Sequence, residues 1–215
     1  MVETLFVKNA RTKMENSLQY TIGIKEIDKM IGAKMPINSM NVISGECHSG
    51  KTRTMLRSYV THALSNDAMF ITYNKYASIM LMIDVMVEQN YTLNMKDVKN
   101  LIDSIHEIGD LGDIDQSLGY RPQHMVYIDE PMLLLSAKVE QHNTMFSQTR
   151  EVYRYMTKLA RKHNKIIITS AQSNKHAYND CTMWVPFSGL ENADICIHCI
   201  EKDKWVIVKN KWGQQ

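Results

Sequence analysis

The sequence contains no run approaching the ~18 consecutive apolar residues that a membrane span requires. Its opening, MVETLFVKNARTK, also lacks the apolar stretch and small-residue cleavage site of a secretory signal. Cysteine is scarce: Cys47, Cys181, Cys196 and Cys199 are too few and too scattered for a disulfide framework in 215 residues. A reducing compartment is therefore expected, the cytoplasm, or a host cytoplasm if the source is viral. Net charge is nearly absent as well, with 25 basic against 23 acidic side chains and a balance of +2. That excludes a uniformly basic nucleic-acid coat protein but leaves room for a local basic face. Internal repeats, low-complexity tracts and Pro/Ser-rich linkers are missing too. Nothing marks a boundary between two modules, and the length sits near the upper end of what one core supports.

Cys196-Ile-His-Cys199 has the spacing of half a zinc site, which Cys181 and His198 could complete. The surrounding ADICIHCI alternates and is rich in isoleucine, the pattern of a strand, in which Cys196 and Cys199 would point to opposite faces. Small buried cysteines are the simpler reading. The sixteen methionines suit a forgiving core or a contact surface, and composition does not separate the two.

Short apolar runs alternate with longer helical patterns, a rhythm that predicts an α/β fold with a mostly parallel sheet flanked by helices. Strands are predicted at 40–44, 69–73, 125–128, 166–170, 195–199 and 205–208, and helices at 50–64, 77–89, 94–106 and 149–163. In the last helix Val152, Tyr155, Met156 and Leu159 form one stripe, and Arg154, Lys158, Arg161 and Lys162 read as a solvated face. The polar segment 110–123, with its Gly and Pro, reads as a loop.

One segment carries chemistry. Met40-Asn-Val-Ile-Ser runs into Gly45-Glu46-Cys47-His48-Ser49-Gly50-Lys51-Thr52-Arg53, which is Gly-x-x-x-x-Gly-Lys-Thr between a strand and a helix. Glycines let the backbone wrap closely around phosphate oxygens, and the helix beginning near Gly50 adds its N-terminal partial positive charge. The candidate nucleotide-binding stretch is therefore Gly45 to Arg53. Lys51 would reach the β- and γ-phosphates of ATP and the Thr52 hydroxyl would ligate Mg2+. Downstream, Met125-Val-Tyr-Ile-Asp129-Glu130 is an apolar strand ending in two carboxylates. Asp129 is the candidate on the Mg2+ side, and Glu130 the candidate that orients or deprotonates the attacking water. An exposed acidic turn is the plain alternative.

The tract Thr21-Ile-Gly-Ile-Lys-Glu-Ile-Asp-Lys-Met-Ile-Gly32, followed by Met35-Pro-Ile-Asn-Ser-Met-Asn-Val-Ile-Ser-Gly45, resembles the opening of the RecA-type ATPase core. That core recurs in RecA/RadA recombinases, KaiC-like proteins and DnaB-type replicative helicases. Its opening is a short amphipathic helix, here with Ile24, Ile27 and Ile31 on one side, then a turn and the first buried strand. Ile166-Ile-Ile-Thr-Ser-Ala-Gln172 is similar to the strand whose terminal Gln contacts the γ-phosphate, which implies that role for Gln172. The ending, Glu191-Asn-Ala-Asp-Ile-Cys-Ile-His, Trp205-Val-Ile-Val and Lys209-Asn-Lys211-Trp-Gly213, resembles the DnaB-type C-terminal hairpin and its K-x-R-x-G motif. The resemblance implies a RecA-like P-loop fold over residues 21–215, a homo-oligomeric ring or filament, and nucleotide at subunit interfaces. Lys209 and Lys211 become catalytic cations acting in trans; solvated charges on a hairpin are the plain alternative.

Two departures stand out. The catalytic glutamate that DnaB-type helicases place after the second core strand is missing from Phe70-Ile-Thr-Tyr-Asn74-Lys75, so either Glu130 replaces it or hydrolysis is slow. The finger arginine is Lys211, a point charge where a guanidinium gives a fork. In RecA-like cores the loops after the Walker B and Gln strands contact single-stranded DNA. The matching loops are 131–149 and 173–190, where Lys175 and His176 with Tyr178, Trp184 and Phe187 combine cations for phosphates with rings for bases. Anchoring of the loop or filling of an interface accounts for such rings equally well.

These readings converge on a helicase-like ATPase acting on single-stranded DNA without sequence preference, in replication or recombination. A RecA-core recombinase or annealing protein, a KaiC-like regulatory ATPase without DNA, and an assembly protein with structural ATP are the alternatives. Residues 1–20 are then an N-terminal arm available for assembly, although Phe6 and Ala10 sit four apart where the recombinase hook needs three.

Overall fold

The computed structural model describes residues 18–32, 34–92, 94–134, 145–173 and 190–212. Apolar strands end at turn residues and feed helices that return across the sheet, which is why the strands run parallel. Strand β1 (Leu18–Tyr20) pairs antiparallel with β2 (Met35–Pro36) around helix α1 (Lys25–Ile31). Then follow β3 (Met40–Gly45), α2 (Lys51–Ala63), β4 (Ala68–Thr72), α3 (Lys75–Glu88), α4 (Met95–Asp103) and β5 (Ile105–Glu107). Helix α5 (Leu111–Gly119), β6 (Met125–Ile128), α6 (Met145–His163), β7 (Ile166–Gln172), β8 (Ile195–Glu201) and β9 (Lys204–Asn210) complete the order.

Seven strands form one sheet in the order β5-β4-β6-β7-β3-β8-β9. All pairs are parallel except β8 with β9, the C-terminal hairpin. One apolar layer beneath α1 to α4 gathers Ile43, Met55, Tyr59, Phe70, Tyr127 and Ile197. The other, beneath α5 and α6, gathers Val42, Ile71, Ile114, Val126, Val152 and Met156. Tyr59 stands edge-on to both Phe70 and Tyr127 and donates to the Leu101 carbonyl at 2.7 Å, so its hydroxyl is satisfied although the ring is fully buried. Cys199 lies in the first layer and Cys196 in the second, so the strand sends them to opposite faces as the alternation predicts.

Two segments differ from the sequence expectation. The predicted helix 94–106 stops at Asp103, and Ile105 pairs with Phe70 as the edge strand β5. The predicted loop 110–123 contains α5, whose Asp110 side chain caps Gly112 N at 2.5 Å while Leu111, Ile114 and Leu118 are buried. In addition, Tyr20 of the expected arm joins β1 and donates to Asp67 Oδ2 at 2.7 Å. Among the described residues no helix is long and apolar enough to cross a membrane.

Candidate nucleotide site

The sheet register builds the site. Gly45, the last residue of β3, lies opposite Gln172 at the end of β7 and Cys199 of β8. The chain therefore leaves β3 at the carboxyl edge of the sheet, where open parallel sheets bind ligands. Strand β6 stops at Ile128 and delivers Asp129 and Glu130 to the same edge. Between them is a cleft of about 410 Å3 lined by Cys47, His48, Gly50, Lys51, Thr52, Arg53, Glu130 and Gln172. The structure thus brings the Gly-Lys-Thr loop, the second carboxylate and the glutamine into one place.

Backbone geometry explains the glycines. A Cβ on Gly45 would stand 2.8 Å from the Cys199 carbonyl and collide with the Ser49 hydroxyl. Gly50, the residue before α2, has φ +93°, and His48 has φ +61°, so the loop turns back on itself as it enters the helix. Gly45→Ala is expected to cost about 1–3 kcal/mol by overpacking against backbone that cannot yield, and to abolish nucleotide binding. Chemical denaturation and a binding titration check the two effects.

Electrostatics follow from burial. Lys51 Nζ donates to the Glu46 carbonyl at 2.5 Å, folding the ammonium into its own loop. Burial pushes its pKa down, partly offset by Cys199, Cys47, Glu130 and Asp129. Ser49 Oγ is buried without a hydrogen-bond partner among the described residues. Asp129 is 5 % exposed, and burial raises its pKa against the Ser170 and Thr52 hydroxyls and the Lys51 ammonium, which lower it. Glu130 is exposed, and its carboxyl is pushed up first by desolvation and then by Asp129, with Lys51 opposing. Its backbone adopts φ +46°, unusual for a side-chain-bearing residue, and its N–H donates to Ser170 Oγ at 2.7 Å.

The residues fit Mg2+. Asp129 Oδ1 is buried with no hydrogen-bond partner among the described residues, and the neighbouring Thr52 hydroxyl adds a second hard oxygen donor. Asp129 would hold the ion together with Thr52. Asp129→Asn removes a buried charge, so the nucleotide-free variant is expected to melt at or above the wild-type temperature. MgADP at about a hundred times its Kd stabilises a binding chain by about 2.7 kcal/mol, and the variant should lose most of that gain. Thermal melts with and without MgADP check this.

Some residues were not visible as site residues in the sequence. Lys202, in the turn between β8 and β9, and Leu81 of α3 also line the cleft. Arg53 Nη2 and Lys202 Nζ share Glu88 Oε1, at 2.5 and 3.0 Å, which ties the hairpin turn to α2 and α3 at the mouth. The charged turn Glu201-Lys-Asp-Lys204 was the only local signal, and it reads equally well as solvent-facing. Asn74, where the glutamate is missing, caps α3 by accepting from Ala77 N at 3.0 Å.

Lys209 and Lys211 stand elsewhere. The register places Asn210 opposite Ile195, so both lysines lie at the edge where β8 begins, opposite to the cleft. Lys211 Nζ is 3.0 Å from Asp194 Oδ1 and sits over the Trp212 ring, while Lys209 donates to the Glu191 carbonyl at 3.1 Å. Lys175, His176, Tyr178, Trp184 and Phe187, and Gly213 of the terminal motif, lie outside the described residues.

Searches of family profiles and of curated proteins return no match for the chain. A solved structure of the ATPase domain of a DnaB-type helicase superposes with a TM-score of 0.69 at 15% sequence identity, covering 98% of this chain and 90% of that one. At that identity the likeness concerns the fold, which is RecA-like: a mostly parallel sheet flanked by helices and closed by a C-terminal hairpin.

Proposed function

We propose that this chain binds and hydrolyses ATP with Mg2+ and works as a helicase-like motor on single-stranded DNA in replication or recombination. It would do so as a homo-oligomer, in a ring or filament, with nucleotide at the subunit interfaces. The observation that carries the reading is the convergence of Lys51, Thr52, Asp129, Glu130 and Gln172 at the carboxyl edge of a RecA-like sheet. Each residue has a distinct task. The loop N–H groups and the Lys51 ammonium hold the triphosphate, and the lysine neutralises charge that grows as the terminal phosphoryl group departs. Thr52 and Asp129 would hold Mg2+, which bridges and polarises the phosphate oxygens when bound. Glu130 accepts a proton from the attacking water, and Gln172 orients beside the γ-phosphate.

A regulatory ATPase without DNA is the second reading, supported by the use of Asn74 as a helix cap where helicases place a glutamate. ATP turnover with and without single-stranded DNA separates the two. Stimulation that does not depend on base sequence supports the motor, and equal turnover across single strands, duplex and no DNA favours the regulator. The DNA-contacting residues proposed are Lys175, His176, Tyr178 and Trp184. Their replacement should remove stimulation while leaving DNA-free turnover intact.

A further inference from the structure

A second cleft, about 440 Å3, opens beside α6 at the edge where β3 and β8 begin, opposite to the phosphate loop. Arg154, Lys158 and Arg161 of α6 line it together with Lys209 and Lys211. The three α6 residues recur four and three apart and are exposed, so they form one cationic stripe along the helix.

The cations differ in what already holds them. Lys211 is bound to Asp194, a buried carboxylate whose other oxygen accepts Met40 N at 3.0 Å. Recruiting Lys211 elsewhere would strand that carboxylate. Lys209 is tied to the Glu191 carbonyl, and Arg154 pairs with Glu151 at 3.3 Å. Lys158 and Arg161 have no ion pair or hydrogen bond among the described residues.

We propose that Arg161, assisted by Lys158, is the cation that this chain presents to the nucleotide phosphates held by a neighbouring copy. The inference rests on the ATPase reading above and moves the trans-acting role from β9 to α6. Three observations support it. The groove is at the edge remote from the chain's own phosphate loop, so its cations can meet phosphates only on another copy, in a head-to-tail contact of unlike surfaces. Arg161 restores the planar fork that Lys211 lacks. Its guanidinium is uncommitted, so no buried partner is abandoned when it moves. In hydrolysis, water oxygen bonds to the γ-phosphorus and the bond to the β–γ bridging oxygen breaks, leaving the electron pair on ADP. Arg161 would neutralise the charge on the departing group.

The test compares wild type, Arg161→Ala, Arg161→Lys and Lys211→Ala, each as the full chain. Arg161→Ala should bind MgATP as a separate chain with wild-type affinity and lose turnover by ~10³-fold. Native mass measured with ADP and aluminium fluoride should show its assembly lost, and Arg161→Lys should recover part of both properties. Lys211→Ala should chiefly lower the melting temperature. Mixing Arg161→Ala with Lys51→Met should restore turnover, because mixed contacts set an intact phosphate loop against an intact arginine. Wild-type turnover and assembly in Arg161→Ala would overturn the proposal. So would a mixture that stays inactive, or a loss confined to DNA binding, which would make the groove a nucleic-acid surface. In each of those cases wild type still hydrolyses ATP; a wild-type chain that releases no phosphate overturns the underlying reading and this proposal with it.

Discussion

Lys51→Met should lower ATP turnover by at least about 100-fold, the effect of removing one preorganised charge from the departing phosphate, without weakening the fold. The second half of that expectation comes from burial. Desolvation outweighs the four anionic neighbours and depresses the lysine pKa, so the charged form is disfavoured in the folded chain. A group of that kind costs stability while it is protonated, and the cost disappears as pH rises through its lowered pKa. Methionine keeps most of the aliphatic stem and removes the desolvated charge. The variant should therefore melt at or above the wild-type temperature. Loss of both turnover and melting temperature would mean that the ammonium is structural, holding the loop through the Glu46 carbonyl.

Glu130→Gln should leave MgATP binding intact while cutting kcat by about 10²–10⁴-fold, the range for loss of a positioned general base. The assignment distinguishes it from Asp129. Asp129 is buried with an orphaned oxygen, as suits an ion ligand, whereas Glu130 is exposed in the cleft on a left-handed backbone that turns it away from the strand direction. Its pKa is raised by burial and by Asp129. A base must be ionised, so activity should fall on acidification at a higher pH than an ordinary glutamate gives. Mg2+ beside Asp129 would move that limb downward, and kcat against pH in the wild type measures it. An unchanged kcat in Glu130→Gln would shift the role to a residue outside Asp129-Glu130 and would favour the slow-hydrolysis reading that Asn74 suggests.

The phosphate loop was legible because its chemistry is local: eight consecutive residues carry the turn, the lysine and the hydroxyl. Strand β6 was equally legible, four apolar residues closed by His124 and Asp129, and it matches residue for residue. Helix α4 and strand β5 were not separable. Leu101 and Ile105 stand four apart and are buried in the same layer, so helical periodicity runs on through the strand; only the pairing of Ile105 with Phe70 decides. In α5 the signal was present at Leu111, Ile114 and Leu118, but Gly112, Gly119 and three aspartates from Asp110 to Asp115 masked it. Lys202 and Leu81 reach the cleft through the fold of the hairpin and of α3, which no spacing in the chain records. The pairing of Lys211 with Asp194 joins residues 17 apart and likewise needed the structure.

Every functional step assigned to this chain requires that the cleft at the carboxyl edge of the sheet be an Mg2+-dependent ATP site. Titration calorimetry of ATP into wild type and Lys51→Met, with Mg2+ and with chelator, addresses that requirement without depending on oligomeric state or DNA. One site per wild-type chain is expected, weakened strongly by chelator and lost or greatly weakened in Lys51→Met. No binding to wild type, or binding indifferent to both Mg2+ and Lys51, would contradict it.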